Sequence, residues 1–129
     1  MTRLLEEQLT RSIIGAFYEV YIALGYGFLE HLYVLALEQE LLARGHKVAR
    51  QVSVHVYYKG RQLGQQRLDM IVDDRIIIEI KSTADLHAGA HRQLRSYLQG
   101  TRLELGLLLH FGPEAKFYRV IASNQSPSA

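Results

Sequence analysis

The chain has 129 residues, 48% of them hydrophobic and 22% charged, and a formal net charge of +2 at pH 7. This balance is typical of one globular domain with one core and excludes a disordered chain, while the lack of cysteine excludes a disulfide framework and a thiolate metal site. No apolar stretch approaches the ~20 residues of a membrane helix, and Glu6 and Glu7 stand where a signal peptide would be basic and then apolar, so we expect a cytoplasmic protein.

Two helices are predicted at the start of the chain. Apolar residues three and four positions apart indicate an amphipathic helix over residues 4–24, which Gly25 ends. Its apolar positions are Leu5, Leu9, Ile13, Phe17, Val20 and Leu24. A second helix is predicted from about Phe28 to Arg44, with Gly45 as its C-terminal stop. The strongly apolar first helix favours self-association, so we expect a homodimer.

A long β-hairpin is predicted next. Residues 47–72 alternate between apolar and polar side chains, with a tight turn at Lys59-Gly60. Residues 41–68 contain six basic side chains and no acidic one, a pattern that favours contact with a phosphate backbone. The candidate nucleic-acid-binding residues are Arg50, Lys59, Arg61 and Arg67. The alternative is that these charges are solvated on the outer face of the hairpin, and charge alone does not separate the two interpretations.

A third strand, a helix and two more strands complete the chain. They are predicted over residues 76–81, from about His87 to Gln99, and over residues 103–111 and 116–121. The order ααβββαββ predicts an α/β (α+β) fold in which helices flank a mixed sheet. We expect one domain over residues 1–121 and a flexible tail over residues 122–129.

Three charged residues, Asp69, Glu79 and Lys81, interrupt the apolar pair of strands on either side of residues 73–75. Glu79 and Lys81 share a face of their strand because side chains two residues apart point the same way. Asp69 joins that face only if an odd-length loop or a bulge connects the strands. A three-residue loop with Asp74 in the left-handed conformation would place the two carboxylates together.

Two converging carboxylates suit a hard divalent cation, Mg²⁺ or Mn²⁺, which would neutralise both acids. In such a site Lys81 can orient or deprotonate an attacking water, or stabilise negative charge that develops on a phosphate. The alternative is a cross-strand salt bridge between Lys81 and one of the acids, which the E-x-K pattern alone favours.

Polar residues on two helices extend this candidate site. Gln93 and Tyr97 are spaced i, i+4 and therefore occupy one face of the helix that follows the isoleucine strand. On the second helix Glu30 lies on the same side as Tyr33 and is a candidate further ligand. Each also has a simpler interpretation: a surface acid for Glu30, a solvated amide for Gln93 and core-edge aromatics for the tyrosines.

Together these residues resemble a known family. G-F-L-E-H-L-Y at residues 27–33 matches the motif that names the GxxExxY proteins, a family of small bacterial and archaeal proteins. Q-V-S-V-H-V-Y-Y-K-G, R-L-D-M-I-V, I-I-I-E-I-K and Q-L-R-S-Y-L follow in that family's order, so the resemblance spans residues 11–121. The family is similar to the PD-(D/E)XK nuclease superfamily, in particular to its RecB-like and lambda exonuclease-like branch with a Q-x-x-x-Y helix.

The resemblance implies a restriction-endonuclease-like core and a Mg²⁺-dependent nuclease that hydrolyses phosphodiester bonds. DNA is the expected substrate. It implies metal ligation by Asp69, Glu79 and the backbone carbonyl of Ile80, with Glu30 as the acid of the leading helix. Lys81 corresponds to the catalytic lysine, and Gln93 and Tyr97 to the accessory pair. Leu68 stands where the superfamily's proline would be. The alternatives are a homodimer that resembles Holliday-junction resolvases and an inactive binding module of the same fold.

Overall fold

The computed structural model describes residues 2–122, with side chains from Glu6 onward. It contains three α-helices and five β-strands in the predicted order. The elements are α1 Thr2–Leu24, α2 Glu30–Ala43, β1 Val48–Tyr58, β2 Arg61–Val72, β3 Ile76–Lys81, α3 Gly89–Thr101, β4 Leu105–Phe111 and β5 Ala115–Ile121. The predicted side-chain position of Leu5 and residues 123–129 of the predicted tail lie outside this description.

The five strands form one sheet in the order β1-β2-β3-β4-β5. All neighbouring strands are antiparallel except β3 and β4, which are parallel and joined by α3. Parallel neighbours require such a crossover connection, so the helix between the strands follows from the topology. The mixed α+β architecture predicted from the element order is confirmed.

Helices cover both faces of the sheet. On one face α1 and α2 bury residues such as Ile13, Phe17 and Leu37 against Ile76, Ile78 and Ile80. On the other face α3 packs Leu94 and Leu98 against the sheet. β3 and β4 therefore lie in the interior, which explains their nearly continuous runs of isoleucine and leucine. No helix in residues 2–122 is long and apolar enough to cross a membrane.

The turn between β2 and β3 has the predicted odd length. Val72 pairs with Ile76 and Met70 with Ile78, so three residues, 73–75, form the loop. Asp73 and Asp74 both have positive φ, 52° and 56°, whereas the sequence argument assigned this conformation only to Asp74. Arg75 donates its N–H to the Val72 carbonyl at 3.0 Å and closes the turn. Extension of this register places Asp69 opposite Glu79.

The side chains of β1 switch from one face of the sheet to the other near Gln51, the residue opposite Asp69. Val48 packs with the α1 and α2 side of the core, whereas Val52 packs with the α3 side, although residues four apart on a regular strand share a face. Between them Gln51 has φ 51° and no strand partner. Leu68 and Met70 are likewise divided between the two core clusters. A local twist at Gln51 thus turns the outer hairpin relative to the rest of the sheet.

A chain of polar contacts ties three segments together at the opposite end of β2. Ser12 Oγ lies 2.7 Å from His46 Nε2, and His46 Nδ1 lies 2.8 Å from Asp73 Oδ2. Asp73 also accepts the N–H of Lys47 at 2.8 Å. Burial raises the pKa of Asp73, but these hydrogen bonds and the neighbouring positive charges outweigh it and lower the pKa below its usual value. The contacts fix α1 and the β2–β3 turn to the start of β1.

Candidate active site

Asp69 and Glu79 meet where the hydrogen-bonded ladder of β2 and β3 ends at Met70 and Ile78. Beyond that point, hydrogen bonds to the two carboxyl side chains connect the strands in place of backbone–backbone hydrogen bonds. The Asp69 N–H donates to Glu79 Oε2 at 3.1 Å, and the Ile80 N–H donates to Asp69 Oδ2 at 2.7 Å. Each carboxyl group is therefore held by the backbone of the opposite strand, which fixes both groups side by side.

Burial makes it unfavourable for both carboxyl groups to be ionised at once. Glu79 is only 5% exposed, and burial followed by the charge of Asp69 raises its pKa to about 8. Burial also raises the pKa of Asp69, despite the N–H of Ile80 and a hydrogen bond from the Glu79 side chain. At neutral pH the isolated pair therefore retains a proton that a divalent cation would replace.

Lys81 acts on the acids without a direct ion pair. Its positive charge partly offsets the burial that raises the pKa values of Glu30, Asp69 and Glu79. Within residues 2–122, however, no ion pair within 4.0 Å includes Lys81. The cross-strand salt bridge that the E-x-K pattern favours is therefore not formed, and the half-buried ammonium stays available beside the acids.

Glu30 approaches the pair as the first residue of α2. Burial raises its pKa, as does the charge of Asp69, while Lys81 and the N–H of Ser82 lower it. Glu30, Lys81 and Gln93 line a cleft of about 660 Å³ together with the loop between β3 and α3. Glu30 therefore lies near Lys81 and Asp69, and its role as a further ligand stays a prediction.

The Q-x-x-x-Y pair of α3 borders the same cluster. Gln93 lines the cleft, and Tyr97, one helical turn later, is 3% exposed. Burial and then the charges of Glu79 and Asp69 raise the pKa of Tyr97 to about 12. Its hydroxyl donates to the Arg67 carbonyl at 3.5 Å, which ties α3 to β2 two residues before Asp69.

The four candidate nucleic-acid-binding residues occupy two different environments. Lys59, Arg61 and Arg67 are exposed on the outer hairpin. Arg50 is instead half-buried, and its Nη1 donates to Glu38 Oε1 of α2 at 2.8 Å. The structure thus groups three of these residues and separates the fourth.

Comparison with known families agrees with this arrangement. The family model of the PD-(D/E)XK nuclease superfamily matches residues 7–120. The chain belongs to this superfamily. A search of curated proteins finds no match. A solved structure titled "Crystal structure of SSO0001" superposes with a TM-score of 0.57 at 23% identity, covering 76% of this chain and 52% of that chain, and shows the same fold.

Members of the PD-(D/E)XK superfamily typically use divalent metals, and the donors present here suit one. Asp69 and Glu79 supply hard carboxylate oxygens, and the backbone of Ile80 already contacts Asp69. Residues 6–122 contain no group of three or more His, Cys, Asp or Glu side chains arranged to hold a metal ion. The carboxyl pair would therefore need a backbone oxygen, waters or substrate to complete octahedral coordination, as is usual for Mg²⁺.

Sequence reasoning missed His110, which pairs in register with Lys81 on the adjacent strand β4. His110 is 5% exposed, and its Nε2 donates to the Thr83 carbonyl at 2.7 Å. Thr83 lines the cleft beside Lys81, so His110 supports one wall of this cleft. The only signal in the sequence was a single histidine at the end of an otherwise apolar strand.

Proposed function

We propose that the protein is a Mg²⁺-dependent nuclease that hydrolyses phosphodiester bonds in DNA. The observation that carries the proposal is the pairing of buried Glu79 with half-buried Asp69 next to Lys81, which has no ion-pair partner in residues 2–122. Two adjacent carboxyl groups with raised pKa values, next to a cleft, are typical of a functional site. A purely structural role would favour neutralisation of these acids by Lys81.

In the proposed reaction Asp69 and Glu79 would hold Mg²⁺ or Mn²⁺, with the carbonyl of Ile80 as the candidate third ligand and Glu30 as the acid of the leading helix beside them. The ion, when bound, would supply positive charge to the phosphate and lower the pKa of water. Lys81 orients the attacking water, helps to remove its proton and stabilises charge on the phosphate oxygens. A P–O bond forms to this water as the P–O bond to the leaving sugar oxygen breaks, which yields a phosphate monoester and a hydroxyl group.

The accessory residues have positioning roles in this proposal. Gln93 lines the cleft and can hydrogen-bond a water or the substrate. Tyr97 is held at the Arg67 carbonyl and orders the strand that carries Asp69. The exposed Lys59, Arg61 and Arg67 contact the DNA backbone, since an acid-free basic segment attracts phosphate.

The test is cleavage of linear duplex, single-stranded and branched DNA with Mg²⁺ or Mn²⁺ and with EDTA. We expect cleavage of at least one substrate that requires the divalent ion. Mn²⁺ titration should give binding that Asp69→Asn and Glu79→Gln both weaken, whereas the exposed control Glu19→Gln leaves it unchanged. If the wild type binds DNA yet cuts none of these substrates, the inactive binding module replaces the nuclease.

A junction-resolving homodimer is the second candidate, and one surface favours it. Large apolar side chains are exposed along the end of α1, the following loop and the outer face of α2. They include Ile22 at 81% and Leu29 at 78% exposure. Apolar surface of this kind is suited to self-association. Light scattering should give a dimer mass for the wild type and a monomer mass for Leu29→Asp. The wild type should also cleave branched DNA in preference to linear DNA. A monomer mass for the wild type at micromolar concentration contradicts this candidate.

A further inference from the structure

The outer part of the β1–β2 hairpin is an arm that extends beyond the packed sheet. Val54 is buried against α3, with its Cγ1 close to Gly100, but every residue from His55 to Leu63 is exposed. At the end of the arm Tyr57 and Tyr58 are 61% and 60% exposed. Two adjacent tyrosines with most of their ring surface in solvent need a reason, because aromatic surface is normally buried.

The arm is ordered rather than loose. Strand pairing continues to Tyr58 and Arg61, and Lys59 and Gly60 form a two-residue turn with φ 49° and 79°. Positive φ at both central residues is the geometry that matches the twist of a hairpin. The register shifts between Val56 and Tyr57, and such a bulge redirects the side chains next to it. The extra residue of the bulge is Leu63 of β2, so Tyr57 and Tyr58 are consecutive paired residues whose side chains project from opposite faces of the arm.

Charge distinguishes among the partners that could cover these rings. The arm has no acidic residue, and the basic side chains nearest the rings are Lys59 and Arg61, with Lys59 Nζ 5.5 Å from the centre of the Tyr58 ring. A second copy of the arm would bring like charges together, which is unfavourable. Exposed aromatic rings beside positive charges are instead suited to a nucleic-acid strand, whose bases stack and whose phosphates pair.

The arm has a defined length relative to the carboxyl pair. Gln51 is level with Asp69, and Tyr58 follows it by seven residues. At a rise of about 3.3 Å per residue the tip lies about 23 Å from Asp69 along the strand. Duplex DNA rises about 3.4 Å per base pair, so this distance corresponds to about seven base pairs of a duplex whose axis lies along the arm.

We propose that Tyr57 and Tyr58 stack on unpaired bases about seven base pairs from the cleaved phosphate, so that the substrate is DNA with a boundary between duplex and single strand. This inference rests on the proposed nuclease function for the position of cleavage. Stacking requires unpaired bases because the faces of paired bases inside a duplex are already occupied. The arm then determines the position along the DNA at which the enzyme binds.

Binding is measured in EDTA, so that the result does not depend on cleavage, with forked duplex and blunt duplex of equal length. Replacing either tyrosine by Ala should weaken binding to the fork by about fivefold to a hundredfold, replacing both should weaken it further, and neither change should affect blunt duplex appreciably. Replacing both by Phe should retain binding, whereas Leu should not, since Leu keeps apolar surface without an aromatic face. Tyr18→Ala, an exposed tyrosine on α1, is the matched control.

A fluorescent base, 2-aminopurine, placed at successive unpaired positions reports the contact directly. Its emission should be quenched by the wild type and not by the double Ala variant. If cleavage occurs, the quenched base should lie about seven base pairs from the cut. Equal loss of fork and blunt binding in the Ala variant, or full binding with Leu, overturns the inference while the nuclease stands. Quenching without cleavage removes the nuclease and keeps the stacking contact.

Discussion

Strand β2 carries two candidate functional regions that differ in burial. Asp69 is half-buried next to the buried Glu79, whereas Arg61 and Arg67 lie on the exposed part of the same strand. Burial raises the pKa of both acids. Solvent screens the exposed cations, so their effects depend on salt. The proposed function therefore assigns chemistry and its pH dependence to the inner region, and DNA affinity and its salt dependence to the outer region.

The strongest test of this division is Lys81→Ala. Because the proposed function places Lys81 at the reacting phosphate, its loss should reduce kcat by about 100-fold to 1,000-fold. Mn²⁺ binding by the carboxyl pair and DNA affinity should remain. The matched control is Lys116→Ala, an exposed lysine that contacts Glu114. An equal loss of DNA affinity and of rate would instead place Lys81 among the binding residues.

Glu79→Gln should remove a loss of stability that the wild type shows at high pH in EDTA. The pKa of Glu79 in the folded state is about 8, above the usual 4.5, so the folded protein holds this proton more tightly than the unfolded chain. The resulting stability is complete below about pH 4.5 and is lost as the pH rises through about 8. Glu79→Gln removes this loss, which is on the order of 4 kcal/mol.

Urea unfolding at pH 5 and pH 9 measures the effect. At pH 9 the variant should be more stable than the wild type, and Mg²⁺ should stabilise only the wild type. Glu19→Gln, at an exposed position of α1, should follow the wild type at both pH values. A wild-type stability that does not fall between these pH values would show that Glu79 ionises without cost.

Arg67→Ala should weaken DNA binding and leave the chemical step unchanged. Each phosphate contact contributes about 0.9 to the slope of log K against log salt, so the slope should fall by about that amount. Arg119→Ala, an exposed arginine on β5, is the control. Fluorescence anisotropy at several salt concentrations measures the slope, and single-turnover cleavage measures the rate. An unchanged slope would remove Arg67 from the DNA-binding surface.

The smallest effect on binding is expected for Arg50→Ala, because this arginine of the basic segment is half-buried whereas Arg67 is exposed. The Arg50 guanidinium already binds Glu38, so its loss should change the salt slope less than Arg67→Ala does. The variant should instead lower the unfolding temperature, because a half-buried ion pair loses one partner. Thermal unfolding and the salt titration together decide this. A full unit of slope lost on Arg50→Ala would contradict the structural assignment.

Much of the site was predictable because it depends on local periodicity. The alternation of the strands placed Glu79 and Lys81 on one face, and the odd loop of residues 73–75 brought Asp69 to it. The i, i+4 spacing placed Gln93 and Tyr97 on one helical face. These relations hold within one element or across one turn, where chain geometry leaves few alternatives.

By itself the sequence determined the order of the elements, the family resemblance and the identity of the carboxyl pair. Only the tertiary structure decided that Arg50 pairs with Glu38, that Lys81 forms no ion pair within residues 2–122 and that His110 supports the cleft. It also placed the switch of faces at Gln51. Such features depend on which distant segments meet and how the backbone twists, and side-chain periodicity carries no information about either.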